Sequence, residues 1–200
     1  SIIFNVALSG TSAKEITIAD GTVTSEYLPI YGWNHGYYLQ QNQFVYPASM
    51  MTSFVGKKLK SITFYPAEVS SGYSTYKGVN FYNGSVTISL ASVEEGSITF
   101  TSSENIAQSP EGLTQVGTIT MPQIPQTNLT EWTITFGEEG YNYYGGDLLV
   151  DVTNVKGNDG RTYFYGITTD NYSGYYCSSS TAKTGSKFLP KATFSFEDNR

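Results

Sequence analysis

The sequence predicts an all-β fold, a two-sheet antiparallel β-sandwich, on three observations. Alternation of apolar and hydroxyl-bearing residues recurs through most of the 200 residues. Aromatics reach 15% and are carried by 17 Tyr against 2 Trp, with 20 Gly alongside, a mixture that suits pleated half-buried surfaces and tight turns. Helical periodicity of useful length is missing. Taken in order, Ile16 and Ile18 face inward from a first strand, and Lys60-Ser61-Ile62-Thr63-Phe64 makes a second. Ser85 to Leu90 turns Val86, Ile88 and Leu90 to the core and Thr87 and Ser89 to water. Trp132, Ile134 and Phe136 repeat the pattern with Thr133 and Thr135 outside. Asp147 to Val152 is apolar enough to be a central strand. Thr162 to Ile167 is a further strand, and Phe194 and Phe196 point inward from a last one. Asn83-Gly84, Gly145-Gly146 and Asn158-Asp159-Gly160 are expected to supply the positive φ values of the connections. Pro47 to Phe54 reads as one or two helical turns stopped by Gly56.

Hydrophobic residues at 39% and charged residues at 14% describe a single domain over residues 1–200, with 1–12 as a first strand or a junction with a preceding domain. A formal net charge of -6 removes the electrostatic footprint of a nucleic-acid binder. No apolar run approaches the roughly 18 residues of a spanning helix, so direct membrane insertion is not expected. The start, Ser1-Ile2-Ile3-Phe4-Asn5, lacks the basic region of a signal peptide, which leaves a cytoplasmic chain or one whose signal was removed. The low-charge surface rich in Ser, Thr, Tyr and Asn favours an extracellular or cell-surface location.

The residues offer little catalytic chemistry. His35 is the only histidine, and no Gly-x-Ser-x-Gly elbow accompanies it. Its place beside Trp33 suits a binding rim better than a proton shuttle. Cys177, the only cysteine, lies in Tyr175-Tyr176-Cys177-Ser178 with no basic neighbour to lower its pKa and reads as a spectator thiol. One His and one Cys far apart exclude zinc. Calcium stays open as a cofactor, because it accepts oxygen ligands from scattered loops, and Asp20, Asp147 and Asp151 are the candidates, with Asp159 and Asp170 also near turns. Each reads more readily as a solvated turn residue that satisfies its own backbone. Glu94-Glu95 and Glu138-Glu139 are adjacent acids, which a strand would point to opposite faces, so neither pair makes a glycosidase site alone.

Aromatic enrichment in loops is the most informative chemical signal. Leu28 to Gln41 and Ser70 to Gly78 resist strand assignment and read as surface loops. Tyr31, Trp33, Tyr37 and Tyr38 in the first, flanking His35 and joined by Tyr27, and Tyr73 and Tyr76 in the second, are the candidate ligand-binding residues. Tyr141, Tyr143 and Tyr144 form a third group, and Tyr172, Tyr175 and Tyr176 a fourth. Such rings offer a flat apolar face and a polar handle, which suits sugar rings and protein partners alike. The competing reading is that they cover the open ends of the sandwich.

An ordered set of segments then resembles a known group. Ile16-Thr17-Ile18-Ala19-Asp20-Gly21-Thr22, Tyr27 to Gly32, Gln41 to Ser49, Leu59 to Tyr65, Tyr143 to Asp151 and Phe188 to Phe194 together resemble the β-jelly-roll domains of large secreted or surface proteins of Bacteroides-type bacteria. These domains are similar to the adhesin jelly rolls of gingipain proteases and to carbohydrate-binding modules. The resemblance implies jelly-roll topology, a noncatalytic adhesive or carbohydrate-binding role, and structural calcium in some members. It implies as partners a glycan or an extracellular protein, and neighbouring domains of a larger surface protein. It transfers no catalytic residues. A structural spacer in such a protein is the rival reading, and a glycoside hydrolase the third.

Overall fold

The computed structural model describes residues 14–199; the expectation for residues 1–12 lies outside the described residues. The fold is all-β, and every strand pairing is antiparallel. One sheet runs in the order Lys14–Ile18, Ala192–Asp198, Lys57–Phe64, Trp132–Thr135, and Tyr141–Tyr143 pairs with Lys57–Phe64 beyond the last of these. A second, larger sheet runs Thr114–Thr120, Ser85–Val93, Asp147–Val155, Gln41–Tyr46, Gly174–Cys177, Lys183–Ser186, Ser103–Glu104. A smaller sheet is built on Tyr163–Thr168, flanked by Phe188–Pro190 and Val23–Ser25, with Pro66–Ala67 also paired to it.

The two large sheets share one core, which makes the architecture sandwich-like. Val86, Ile88, Leu90, Leu148, Val150 and Val152 of one sheet pack in the same cluster as Leu59, Ile62, Phe64, Ile134 and Phe194 of the other. The Phe44 and Phe64 rings meet edge to face across the interior at 6.2 Å, as do Tyr46 and Phe194 at 6.3 Å. Period-2 alternation therefore did point the expected residues inward, and Thr133 and Thr135 stand exposed opposite Trp132 and Ile134. The Asp147–Val155 strand lies inside its sheet, as its apolar run predicts, and is buried on both sides. Leu149 on its outer face joins Ala91, Phe100 and Tyr175 in a satellite cluster.

Pro47 to Phe54 forms two short 3-10 turns, Ala48–Met50 and Thr52–Phe54, in keeping with the one or two helical turns expected. Two expectations are corrected. Ser70 to Gly78 is a β-hairpin, Val69–Ser71 with Ser74–Tyr76, turned at Gly72 with φ 63. Asn83-Gly84 does adopt positive φ, 59 and 68, but Gly160 does not. It is there for space, since a Cβ at that position would stand 2.0 Å from the Asn80 carbonyl oxygen.

Candidate functional site

The segment from Glu26 to Gln40 displays two of the exposed aromatic rings of the expected set. Trp33 is 50% and Tyr37 60% exposed, while Tyr31 and Tyr38 are half-buried. Local sequence gives this segment one 3-10 turn, Gly32–Asn34, and no other regular structure. Side chains from distant strands must therefore hold it.

Gln40 supplies the main clamp. Its amide nitrogen donates to the Tyr31 carbonyl at 2.8 Å, and its amide oxygen accepts from the Tyr31 backbone N–H at 3.2 Å. Both backbone groups of the residue that opens the turn are thus satisfied. The same Gln40 oxygen accepts from Asn42 Nδ2 at 3.1 Å, and Asn42 Oδ1 accepts the Cys177 backbone N–H at 2.6 Å. Asn34 closes the arrangement by donating to the Cys177 carbonyl at 3.1 Å. Asn34, Gln40 and Asn42 are all buried, where an unmade bond is costly.

His35 belongs to this buried framework and not to a binding rim, which corrects the sequence expectation. The Gln40 backbone N–H can only donate, so the Asn154 atom it meets at 2.5 Å is the amide oxygen. The Asn154 nitrogen then faces His35 Nδ1 at 2.9 Å, which must accept, and the ring proton sits on Nε2 and donates to the Asn83 carbonyl at 2.9 Å. Phe81 packs on the ring at 5.0 Å. Burial lowers the pKa of His35, with the Asn83 carbonyl and Asp159 opposing more weakly. A histidine whose folded pKa is depressed contributes stability that is complete above its unfolded value, about 6.5, and is lost as pH falls through the window below it. The unfolding free energy, measured by urea titration from pH 7 to pH 5, is expected to fall at up to about 1.4 kcal/mol per pH unit for this one proton. The His35→Gln variant should lose that part of the slope.

Beside the clamp, rings and one ion pair form a continuous band. Tyr27 stacks on Tyr176 at 4.2 Å, and Tyr31 meets both edge on, at 5.0 and 5.7 Å. Arg161 Nε donates to Glu26 at 2.6 Å, and the guanidinium lies over the Tyr76 and Tyr163 rings at 5.0 and 5.3 Å. Burial first, and then the Glu26 carboxylate, push the Tyr31 phenol up, so it stays a neutral donor. Tyr76 therefore joins the band, whereas Tyr73 stands fully exposed at the hairpin tip. Glu26, Arg161 and Tyr163 were not among the residues the sequence singled out for binding. The third and fourth aromatic groups are only partly available, because Tyr143 and Tyr175 are buried.

The calcium candidates do not converge. Asp147 spends one oxygen on the Ala48 N–H at 2.8 Å and the other on the Gly96 N–H at 2.9 Å. Asp151 is buried on the outer face of its sheet, opposite Gln43, and accepts from Gln41 and Gln43 at 2.8 and 2.7 Å. Asp20 pairs with Lys191 at 3.0 Å. Among the described residues no group of three or more His, Cys, Asp or Glu is placed to hold a metal ion. Cys177 is buried, its Sγ on the Ser179 carbonyl at 2.9 Å, and burial pushes the thiol up. Glu94, Glu95, Glu138 and Glu139 are exposed. No family model, curated protein or solved structure matches this chain.

Proposed function

We propose that this chain is a noncatalytic binding domain that recognises a glycan through the aromatic surface of the 26–40 segment. One observation carries the reading: Trp33 and Tyr37 present large exposed rings from a segment whose backbone is fixed by buried amides. Fixing the backbone before binding removes part of the ordering cost that a flexible aromatic loop would incur. Half-buried tyrosines around the rings offer hydroxyl groups at the edge of the platform, the combination that a sugar ring with one apolar face requires. With both nitrogens of His35 engaged, the site's chemistry is contact and hydrogen bonding.

The strand orders support a jelly roll as the finer topology. Counting only the eight strands that frame the core, one sheet holds the first, eighth, third and sixth, and the other the fifth, fourth, seventh and second. That arrangement agrees with the resemblance to Bacteroides-type surface jelly rolls, and with it go the proposals of an extracellular location and of neighbouring domains in a larger surface protein.

The test is a glycan array followed by affinity measurement on any polysaccharide retained. Trp33→Ala and Tyr37→Ala are each expected to weaken binding about tenfold, or about 1.4 kcal/mol, while thermal stability stays nearly unchanged because both rings are exposed. Chelator is expected to leave binding unaltered, since the oxygens of Asp147 already serve the fold. Undiminished binding in both variants would sink the site assignment. Silence on every glycan would transfer the aromatic surface to a protein ligand.

A further inference from the structure

Two adjoining clefts lie at the other end of the Gln41–Tyr46 strand from the aromatic segment, about 20 Å away along six residues of extended chain. The first, of about 330 Å³, has an apolar floor that includes Val45, Met50, Ile98, Phe100 and Leu189. The 169–173 segment forms its rim and brings Asp170 to the edge. The second, of about 460 Å³, is also largely apolar, with Glu95 and Asp147 among its walls. Pro47 belongs to both, so the clefts meet along one side.

Both clefts combine a largely apolar lining with acidic side chains, a pairing that selects a ligand. Neither cleft is lined by lysine or arginine among the described residues. Asp170 and Glu95 are exposed and, among the described residues, take part in no ion pair, whereas Asp147 is already bonded to backbone amides. An apolar depression large enough for one side chain therefore lies next to a second cleft that bears the exposed carboxylate of Glu95. The net charge of -6 reinforces attraction of a cationic partner toward this surface. A sugar would leave the aliphatic floor poorly matched. An extended peptide fits better, because side chains two residues apart point the same way about 7 Å from each other.

We propose that these clefts form a second binding site, for an extended polypeptide segment of a partner protein, with an apolar side chain on the Val45–Leu189 floor and a nearby lysine or arginine against Glu95. The site acts independently of the aromatic segment.

A phage-displayed random heptapeptide library, panned on the whole chain, tests it. The expected result is enrichment of peptides with an apolar residue within two positions of a basic one. A selected peptide, synthesised and titrated, should bind at least tenfold more weakly to Glu95→Lys. Panning on Glu95→Lys should replace the basic position by an acidic one. Both Glu95 and Asp170 are exposed, and Asp170→Lys provides a second probe of the same edge. Trp33→Ala should leave peptide binding intact, which separates this site from the glycan reading. The proposal is overturned by no enrichment, by a consensus without a basic residue, by binding indifferent to both charge reversals, or by binding lost in Trp33→Ala.

Discussion

Asn154→Ala is expected to destabilise the fold by about 2–4 kcal/mol, because it leaves two buried groups without partners at once. The Gln40 N–H loses its acceptor and His35 Nδ1 its donor, and neither can turn to solvent. The loss should appear as a lower urea midpoint at unchanged slope, since the core that sets exposed area is not altered. Amides of the 31–40 segment should exchange faster than those of the Asp147–Val155 strand, because the clamp on Tyr31 is built on Gln40. Asn154→Asp makes a sharper test. It keeps the oxygen that accepts from Gln40 but places a carboxylate oxygen against His35 Nδ1, where only a doubly protonated ring can donate while also keeping its Nε2–H bond to the Asn83 carbonyl. The folded pKa of His35 is then raised, so its contribution is complete below the unfolded value and is lost as pH rises. The two chains should show opposite pH slopes between pH 5 and pH 7. Parallel slopes would mean that His35 is not coupled to Asn154 as its geometry demands.

Asp151 shows how far burial can oppose this trend. Desolvation raises its pKa, against the lowering effect of the Gln41 and Gln43 amides and of Lys183. A carboxyl raised in the folded state binds its proton more tightly there, so acidification through the raised value favours folding. The window lies above the ordinary aspartate value of 3.8, separate in origin from the histidine window. Comparing the His35→Gln variant with the parent chain at each pH isolates the histidine part.

What could be read from the sequence, and what could not, divides by the range of the interactions. The inward faces of Ser85–Val93 and Trp132–Thr135 follow from period-2 alternation, a property of neighbours in the chain. The exposure of Trp33 and Tyr37 also followed from a Gly-rich, Tyr-rich segment with no apolar periodicity. His35 did not, because its partners Asn83 and Asn154 lie 48 and 119 residues away. The Glu26–Arg161 pair spans 135 residues and has no local signature at either end. Ser70 to Gly78 concealed a hairpin because its turn carries one glycine between polar residues, without the paired Asn-Gly signal that Asn83-Gly84 displays. Gly160 misled in the opposite sense: its cluster looked like turn chemistry, whereas close approach to Asn80 accounts for it.

Trp132→Ala should cost about 3–5 kcal/mol, as large aromatic truncations in packed cores do. The indole is fully buried against Phe64, Phe81 and Phe164, with centroids at 6.1, 5.4 and 5.8 Å. Its consequence should extend beyond stability. Phe81 bridges Trp132 to the His35 ring, so a void beneath Phe81 removes the support under the clamp that presents Trp33. Trp132→Phe separates two contributions. It loses part of the volume but also removes a buried indole N–H that meets no acceptor among the described residues. An unpaired buried donor carries a penalty of about 1–3 kcal/mol, which offsets much of the lost packing. Trp132→Phe is therefore expected to cost about 1 kcal/mol or less, below what its change in volume alone implies. Urea unfolding of the two variants beside the parent chain checks the values, and glycan affinity checks the link to Trp33. If Trp132→Phe destabilises as much as Trp132→Ala, the indole N–H is not a liability, and the support of the aromatic surface depends on the full shape of the tryptophan.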